Sequence, residues 1–144
     1  MGRIRAICIS ERKGTQKFSI EAANFIKNHG IERDAHAGNW HRQVSLLAFE
    51  TIAAFNHRGA GVKDGAFGEN LVVEGIDLTS LPIGTKFKCN EVELELSQIG
   101  KDCVDRCHIY HKMGDCIMPN QGVFAKVLRS GTIKVGDVID YELE

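Results

Sequence analysis

The chain has 144 residues, is 43% hydrophobic and 26% charged, and carries a formal net charge of -1. This is the composition of a globular domain large enough to bury a core, and it excludes a disordered chain. It also excludes a global field that would attract nucleic acid or an anionic membrane, so neither is expected as a partner.

Fifteen glycines against two prolines point to many tight turns. No apolar run reaches the roughly 18 residues of a membrane span, and the stretch Ile4 to Ile9 is too short for the core of a secretory signal. Five cysteines without such a signal suit a reducing compartment. One cytoplasmic domain over residues 1–144 is the expectation.

In chain order, Arg3 to Ser10 alternates weakly and is rich in isoleucine, which predicts a first strand. Ser19 is placed to cap a short helix from Ile20 to about Asn28, with Gly30 as its stop. Ile31 to Gln43 has neither helical nor strand period and reads as an ordered loop. Ser45 is placed to cap a second helix running to about His57, its stripe formed by Leu46, Leu47, Phe49, Ile52, Ala53 and Phe55 and its end by Arg58-Gly59. Asn70 to Glu74 is a short strand. Lys86 to Cys89 and Val92 to Leu96 form a hairpin through Asn90-Glu91, with Val92, Leu94 and Leu96 on one face. Val123 to Leu128, Thr132 to Val135 and Val138 to Leu143 are closing strands. Short, closely spaced strands with few helices predict a mostly β domain, a small barrel or a sandwich.

Two irregular segments concentrate reactive side chains. The first holds His36, His41 and Arg42, with Arg33, Asp34 and Trp40 among them. Imidazole moves protons near neutral pH and guanidinium forks onto phosphate or carboxylate, so this loop reads either as an anion pocket or as a set of surface hydrogen bonds that hold its shape. Asn70, after the glycine-rich run to Gly68, is placed to donate to a ligand. His57, at a helix end, belongs outside such a pocket.

The second segment is Lys101-Asp102-Cys103-Val104-Asp105-Arg106-Cys107-His108, followed by His111 and Cys116. Neighbouring cations lower a thiol pKa, so Cys103 and Cys107 are the candidate nucleophiles, Cys103 first, with unreactive thiols as the alternative. A zinc site is disfavoured, because Cys103 and Cys107 are four apart and the chain has no C-x-x-C, so no structural metal is expected. Cys8 and Cys89, in apolar strands, read as packing residues.

These landmarks resemble a known family. Asp34-Ala35-His36-Ala37-Gly38 and His41 to Leu47 look like the signature loop of the MOSC domain, named after molybdenum cofactor sulfurase. Gly68-Glu69-Asn70-Leu71, Leu78 with Pro82 to Thr85, Ile99 to Cys103, Gly122 to Val127 and Gly131 to Asp137 resemble its later landmarks, in order over nearly the whole chain.

The resemblance implies a closed or nearly closed β-barrel and a role in sulfur or molybdenum-cofactor chemistry. It assigns the cysteine role to Cys103, and a basic pocket for the cofactor's phosphate to His36, His41, Arg42 and Asn70, with Lys101 beside them. It further implies the molybdenum cofactor as ligand or substrate, a cysteine desulfurase as sulfur donor, and an association with pyridoxal phosphate binding. Two functions follow: a sulfur carrier or sulfurtransferase-type enzyme, or a non-catalytic cofactor-binding module. The resemblance also places Val92 to Leu96, Val123 to Leu128 and Val138 to Leu143 as neighbouring strands of one barrel, and brings the loop residues to one cleft with Cys103.

Overall fold

A computed structural model describes residues 1–12, 17–100 and 122–143. Eleven strands are described: β1 (Gly2–Ile9), β2 (Phe18–Ile20), β3 (Ala22–Ile26), β4 (Gly30–Ile31), β5 (Val44–Ala48), β6 (Leu71–Glu74), β7 (Lys86–Cys89), β8 (Val92–Ile99), β9 (Val123–Arg129), β10 (Gly131–Lys134) and β11 (Val138–Glu142). One α-helix, α1 (Phe49–His57), follows β5 directly.

The main sheet runs β11-β7-β8-β9-β5-β6-β1-β2, and a further β11–β1 pairing closes it. The result is a closed mixed barrel of seven strands, with β2 on an outer edge of β1. Among the described residues every pairing in it is antiparallel except β5–β6. A parallel pair needs a crossover, and α1 with the loop after it supplies one. A second sheet, β10-β3-β4, lies across the chain's early and late segments.

The sequence period sets which face each strand buries. In β8, Val92, Leu94 and Leu96 enter the barrel core while Glu93 and Glu95 stay half exposed. Val123, Ala125 and Val127 of β9 join them, together with Phe87, Cys89 and Ile139. In β1, Ile4 and Ile7 share the interior although they are three apart, because a register shift between Ile4 and Ala6 inserts an extra residue. That shift is why the strand alternates only weakly.

The outward side chains of the same strands, Ala6, Cys8, Leu47, Val72 and Phe124, make a second apolar layer with Ile52, Phe55 and Phe67. Strands β5 and β6, with the second half of β1 and the start of β9, are therefore covered on both faces.

Two expected helices are corrected. Residues 20–28 do not form one: β2 and β3 occupy that stretch, and Ala23 and Phe25 are buried opposite Ile133 and Gly131 of β10. Period-2 burial supported by a long-range partner overrides the local capping signal of Ser19. The second helix begins at Phe49, with Ala48 as an N-cap that makes no side-chain hydrogen bond, and Ser45 lies inside β5. The apparent stripe of Leu46 and Leu47 was two faces of one strand, Leu46 to the barrel and Leu47 to the helix. The predicted hairpin is present as β7–β8, with Asn90 at φ 56 in the turn. Strands β8 and β9 are neighbours, but β11 reaches them only through β7.

The barrel core sets a stability expectation. Phe87 is fully buried, so Phe87→Ala should cost about 3–5 kcal/mol in urea denaturation. A cost below about 1 kcal/mol would show that the barrel interior is not packed as described.

Candidate functional site

The candidate site is built around a buried carboxylate. Asp34 follows Arg33, whose φ of 73 is unusual for a residue with a side chain, and this turn directs Asp34 inward. Its Oδ1 accepts from the Ser10 amide at 3.1 Å and from Lys17 Nζ at 2.6 Å, and its Oδ2 accepts from Asn70 Nδ2 at 3.2 Å. The Lys17 and Asp34 side chains are 2% and 0% exposed, so the pair is fully desolvated. Each partner holds the other: removing either would leave a buried charge without its counter-ion.

Lys17 also places Nζ 3.1 Å from His36 Nδ1. An ammonium has only donors, so this contact makes Nδ1 the acceptor and puts the imidazole proton on Nε2. Asn70 joins the loop to the barrel. Its Oδ1 accepts from the Ser45 amide at 2.9 Å and lies 3.1 Å from Ser45 Oγ, while its Nδ2 donates to the Cys8 carbonyl at 3.0 Å as well as to Asp34. Both amide hydrogens are therefore spent inside the protein. Asn70 shapes the site instead of donating to a ligand as its sequence position suggested.

Above this network lies a cleft of about 240 Å³ lined by Lys17, His36, Trp40, Arg42, Ser45, Gly68, Asn70 and Phe124. The Arg42 guanidinium sits 4.6 Å from the Trp40 ring centroid and 5.5 Å from that of Phe124. Its Nε is buried without a hydrogen-bond partner. Among the described residues no carboxylate pairs with Arg42, whereas Lys17 is neutralised by Asp34. The described groups thus leave the cleft one net positive charge, held between two aromatic rings.

The structure brings His36, Arg42 and Asn70 into the lining of one cleft, and His41 is not part of that lining. His41 Nε2 lies 2.8 Å from Gln98 Oε1, and Ser97 Oγ donates to its carbonyl. This is the loop-holding role that was the alternative reading of that histidine. His57 ends α1, exposed and away from the cleft lining. Cys103, Cys107 and Lys101 lie outside the described residues. The strands that flank them do not: Gln98 pairs with Phe124, a cleft wall, and the Gly100 amide donates to the Gly122 carbonyl at 2.6 Å.

Sequence reading missed Lys17, which stands in no motif and acquires its role only through contact with Asp34, 17 residues away. A backbone clue lies at Gly65: at φ +89, an added Cβ would fall 2.3 Å from the Lys17 carbonyl oxygen. Glu69 holds that glycine turn. Its carboxylate accepts from the Gly65 and Phe67 amides at 3.0 Å each, while burial raises its pKa above the ordinary value.

The MOSC domain family profile matches residues 33–140. No curated protein matches the chain. Among solved structures, the YuaD protein from Bacillus subtilis aligns with a TM-score of 0.81 at 20% identity, covering 100% of this chain and 97% of that one. YiiM from Geobacillus stearothermophilus aligns at 0.74 and 18% identity, covering 99% of this chain and 75% of that one. YiiM from Escherichia coli aligns at 0.67 and 16%, covering 99% and 70%. At these identities the three structures establish a shared fold.

Two expectations follow. Asn70→Asp would set a second carboxylate against Asp34 and should cost about 3 kcal/mol or more at pH 7. The deficit should shrink as pH falls and the new carboxyl is protonated, which denaturation at pH 7 and pH 5 would detect. A pH-independent deficit would mean that the new charge escapes the network. Burial pushes the Cys8 and Cys89 thiols up to about 12, so both should resist alkylation in the native protein at neutral pH. Any fast-labelling thiol then belongs to the other three cysteines. The two raised values also stabilise the native state below about pH 9 and lose that contribution as pH rises towards 12.

Proposed function

The chain belongs to the MOSC domain family, and from that membership and the cleft we propose that it handles the molybdenum cofactor, binding its phosphate-bearing end and carrying a sulfur atom on a nearby cysteine. The observation that carries this reading is Arg42: a guanidinium walled by Trp40 and Phe124, with a buried Nε that has no partner and no carboxylate to neutralise it among the described residues. A buried donor left unpaired costs free energy, and an entering oxyanion would remove that cost.

The residues fit such a group. Arg42 supplies charge, Lys17 and His36 line the cleft beside it, and the two aromatic rings form a flat apolar wall. When bound, the cofactor supplies a metal centre able to take up sulfur. The chain's own part is to hold the anionic end, exclude water from it, and deliver the sulfur.

Cys103, with Cys107 as second candidate, is proposed as the carrier. Its thiolate attacks the outer sulfur of a donor persulfide, the donor's S–S bond breaks, and the donor leaves as a thiolate. An electron pair of the acceptor then bonds the terminal sulfur of the new Cys–S–S⁻, its S–S bond breaks, and the electrons of that bond return to the cysteine as a thiolate. A cysteine desulfurase is the proposed donor. Two observations support this placement. Strand β8, which leads to Cys103, is paired at its end with Phe124 of the cleft wall. Cys8 and Cys89 are buried in apolar clusters.

A binding module without sulfur chemistry would need only the cleft. Mass spectrometry after incubation with a cysteine desulfurase and cysteine separates the two readings. The sulfur-carrier reading expects a gain of one sulfur atom that disappears on reduction and is lost in Cys103→Ser. No gain in any form of the protein would leave cofactor binding alone. Arg42→Ala should weaken cofactor binding by roughly tenfold to a hundredfold without abolishing sulfur loading. Unchanged binding would overturn the cleft assignment.

A further inference from the structure

The loop that carries the site holds a second cavity beside the cleft. It measures about 320 Å³ and is lined by residues 35–40, where Ala35, Ala37 and Gly38 contribute no long side chain. His36 and Trp40 line this cavity and the Arg42 cleft alike, so the two hollows adjoin at those residues. Resting on the cofactor-binding reading, we infer that the second cavity is a subsite for a planar heteroaromatic ring. Trp40 is its stacking platform and Asn39 reads the ring's edge, while Arg42 holds an oxyanion carried on the same molecule.

The platform is in place before any ligand arrives. Tryptophan is usually well buried, yet Trp40 keeps 38% of its surface exposed. Its Nε1 donates to the His36 carbonyl at 3.0 Å, its amide donates to the Gly38 carbonyl at 2.9 Å, and the Arg42 guanidinium lies 4.6 Å from its ring centroid. Arg42 lines the first cavity and not the second, so the indole surface turned to the second is clear of that guanidinium. With its one ring N–H engaged, the indole offers a ligand π surface alone. A ring held this firmly loses little further freedom when a second ring stacks on it. The backbone under the cavity is equally tied, since the amides of Ala35, Ala37 and Gly38 donate to the carbonyls of Ser10, Asp34 and His29.

Asn39 narrows the class of ring. It is exposed, lines the cavity, and makes no hydrogen bond among the described residues. A side-chain amide carries a donor and an acceptor together, the complement of a ring edge that presents an acceptor beside an N–H. Among the described residues no lysine, arginine or carboxylate lines this cavity, which suits an uncharged ring. Stacked ring centres lie about 4.5–7 Å apart. Since Arg42 is already within 4.6 Å of the indole centre, ring and oxyanion belong to one molecule joined by a short arm.

Calorimetry and proton magnetic resonance on the full chain test this with three probes. Guanosine monophosphate has the ring, the edge and the anion, ribose phosphate lacks the ring, and a phosphorylated pterin represents the cofactor. Guanosine monophosphate should bind at least about fivefold more tightly than ribose phosphate, and its guanine ring proton should move upfield in the indole ring current. Trp40→Leu should remove both the shift and the difference in affinity, whereas Trp40→Phe should keep a reduced share of each. Asn39→Leu should weaken guanosine monophosphate about threefold to tenfold and leave ribose phosphate unchanged. Arg42→Ala should weaken both. The wild-type shift decides without any variant if a substitution prevents folding.

Equal affinity for the two phosphates, a ring proton that does not move, or no binding of guanosine monophosphate would each overturn the subsite. Arg42-dependent binding of both phosphates with no ring effect would do so while leaving the anion cleft in place. A phosphorylated pterin that binds with the same dependence on Trp40 supports the subsite and the cofactor reading together. One that fails to bind while guanosine monophosphate stacks supports the subsite and counts against the cofactor reading.

Discussion

The Asp34 carboxylate is the constraint on which the site depends. It lies fully buried, and each of its three contacts comes from a different part of the chain: the residue after β1, the residue before β2, and the residue before β6. A buried charge is tolerated only when its neighbours supply both opposite charge and hydrogen bonds, so this one side chain determines where three segments must meet. The loop that carries His36 and Arg42 has no regular secondary structure of its own. It is held by this carboxylate and by backbone hydrogen bonds such as Ala35 to Ser10 and Gly38 to His29.

The barrel beneath provides the rigidity that the loop lacks. Strands β5 and β6 are packed on both faces, by the barrel interior and by the layer under α1. Ser45 and Asn70 stand on adjacent positions of that doubly buried pair and exchange hydrogen bonds between backbone and side chain. A cleft floor built this way cannot shift without disturbing two apolar layers. That is the kind of scaffold on which a set of donors can hold a fixed geometry without a ligand present.

Much of the fold was legible because its strongest signals are local. The β7–β8 hairpin and the closing strands carry alternation and turn residues in the sequence itself. The first helix and the start of the second were misread for one reason: serine is a good N-cap, but residues 22–26 and 44–48 are strands stabilised by partners far away in sequence, Ala23 and Phe25 by β10 and Val44 to Leu46 by β9. The site shows the same division. His36 and Arg42 could be nominated from residue type and from a family likeness. Lys17 could not, since an isolated lysine is usually solvated and only the fold buries it against Asp34. The spent amide of Asn70 was equally hidden, because a side chain's hydrogen-bond account can be closed only when all its neighbours are known.

The aromatic wall of the cleft has a consequence for how the protein can be observed. The chain contains a single tryptophan, and that residue is Trp40, partly exposed, stacked near the Arg42 guanidinium and bonded through Nε1 to the His36 carbonyl. Indole emission responds to nearby charge and to water, and no second indole dilutes the signal. The fluorescence of the unmodified chain is therefore a private optical channel to this one place on its surface, through which occupancy can be followed in real time without a label.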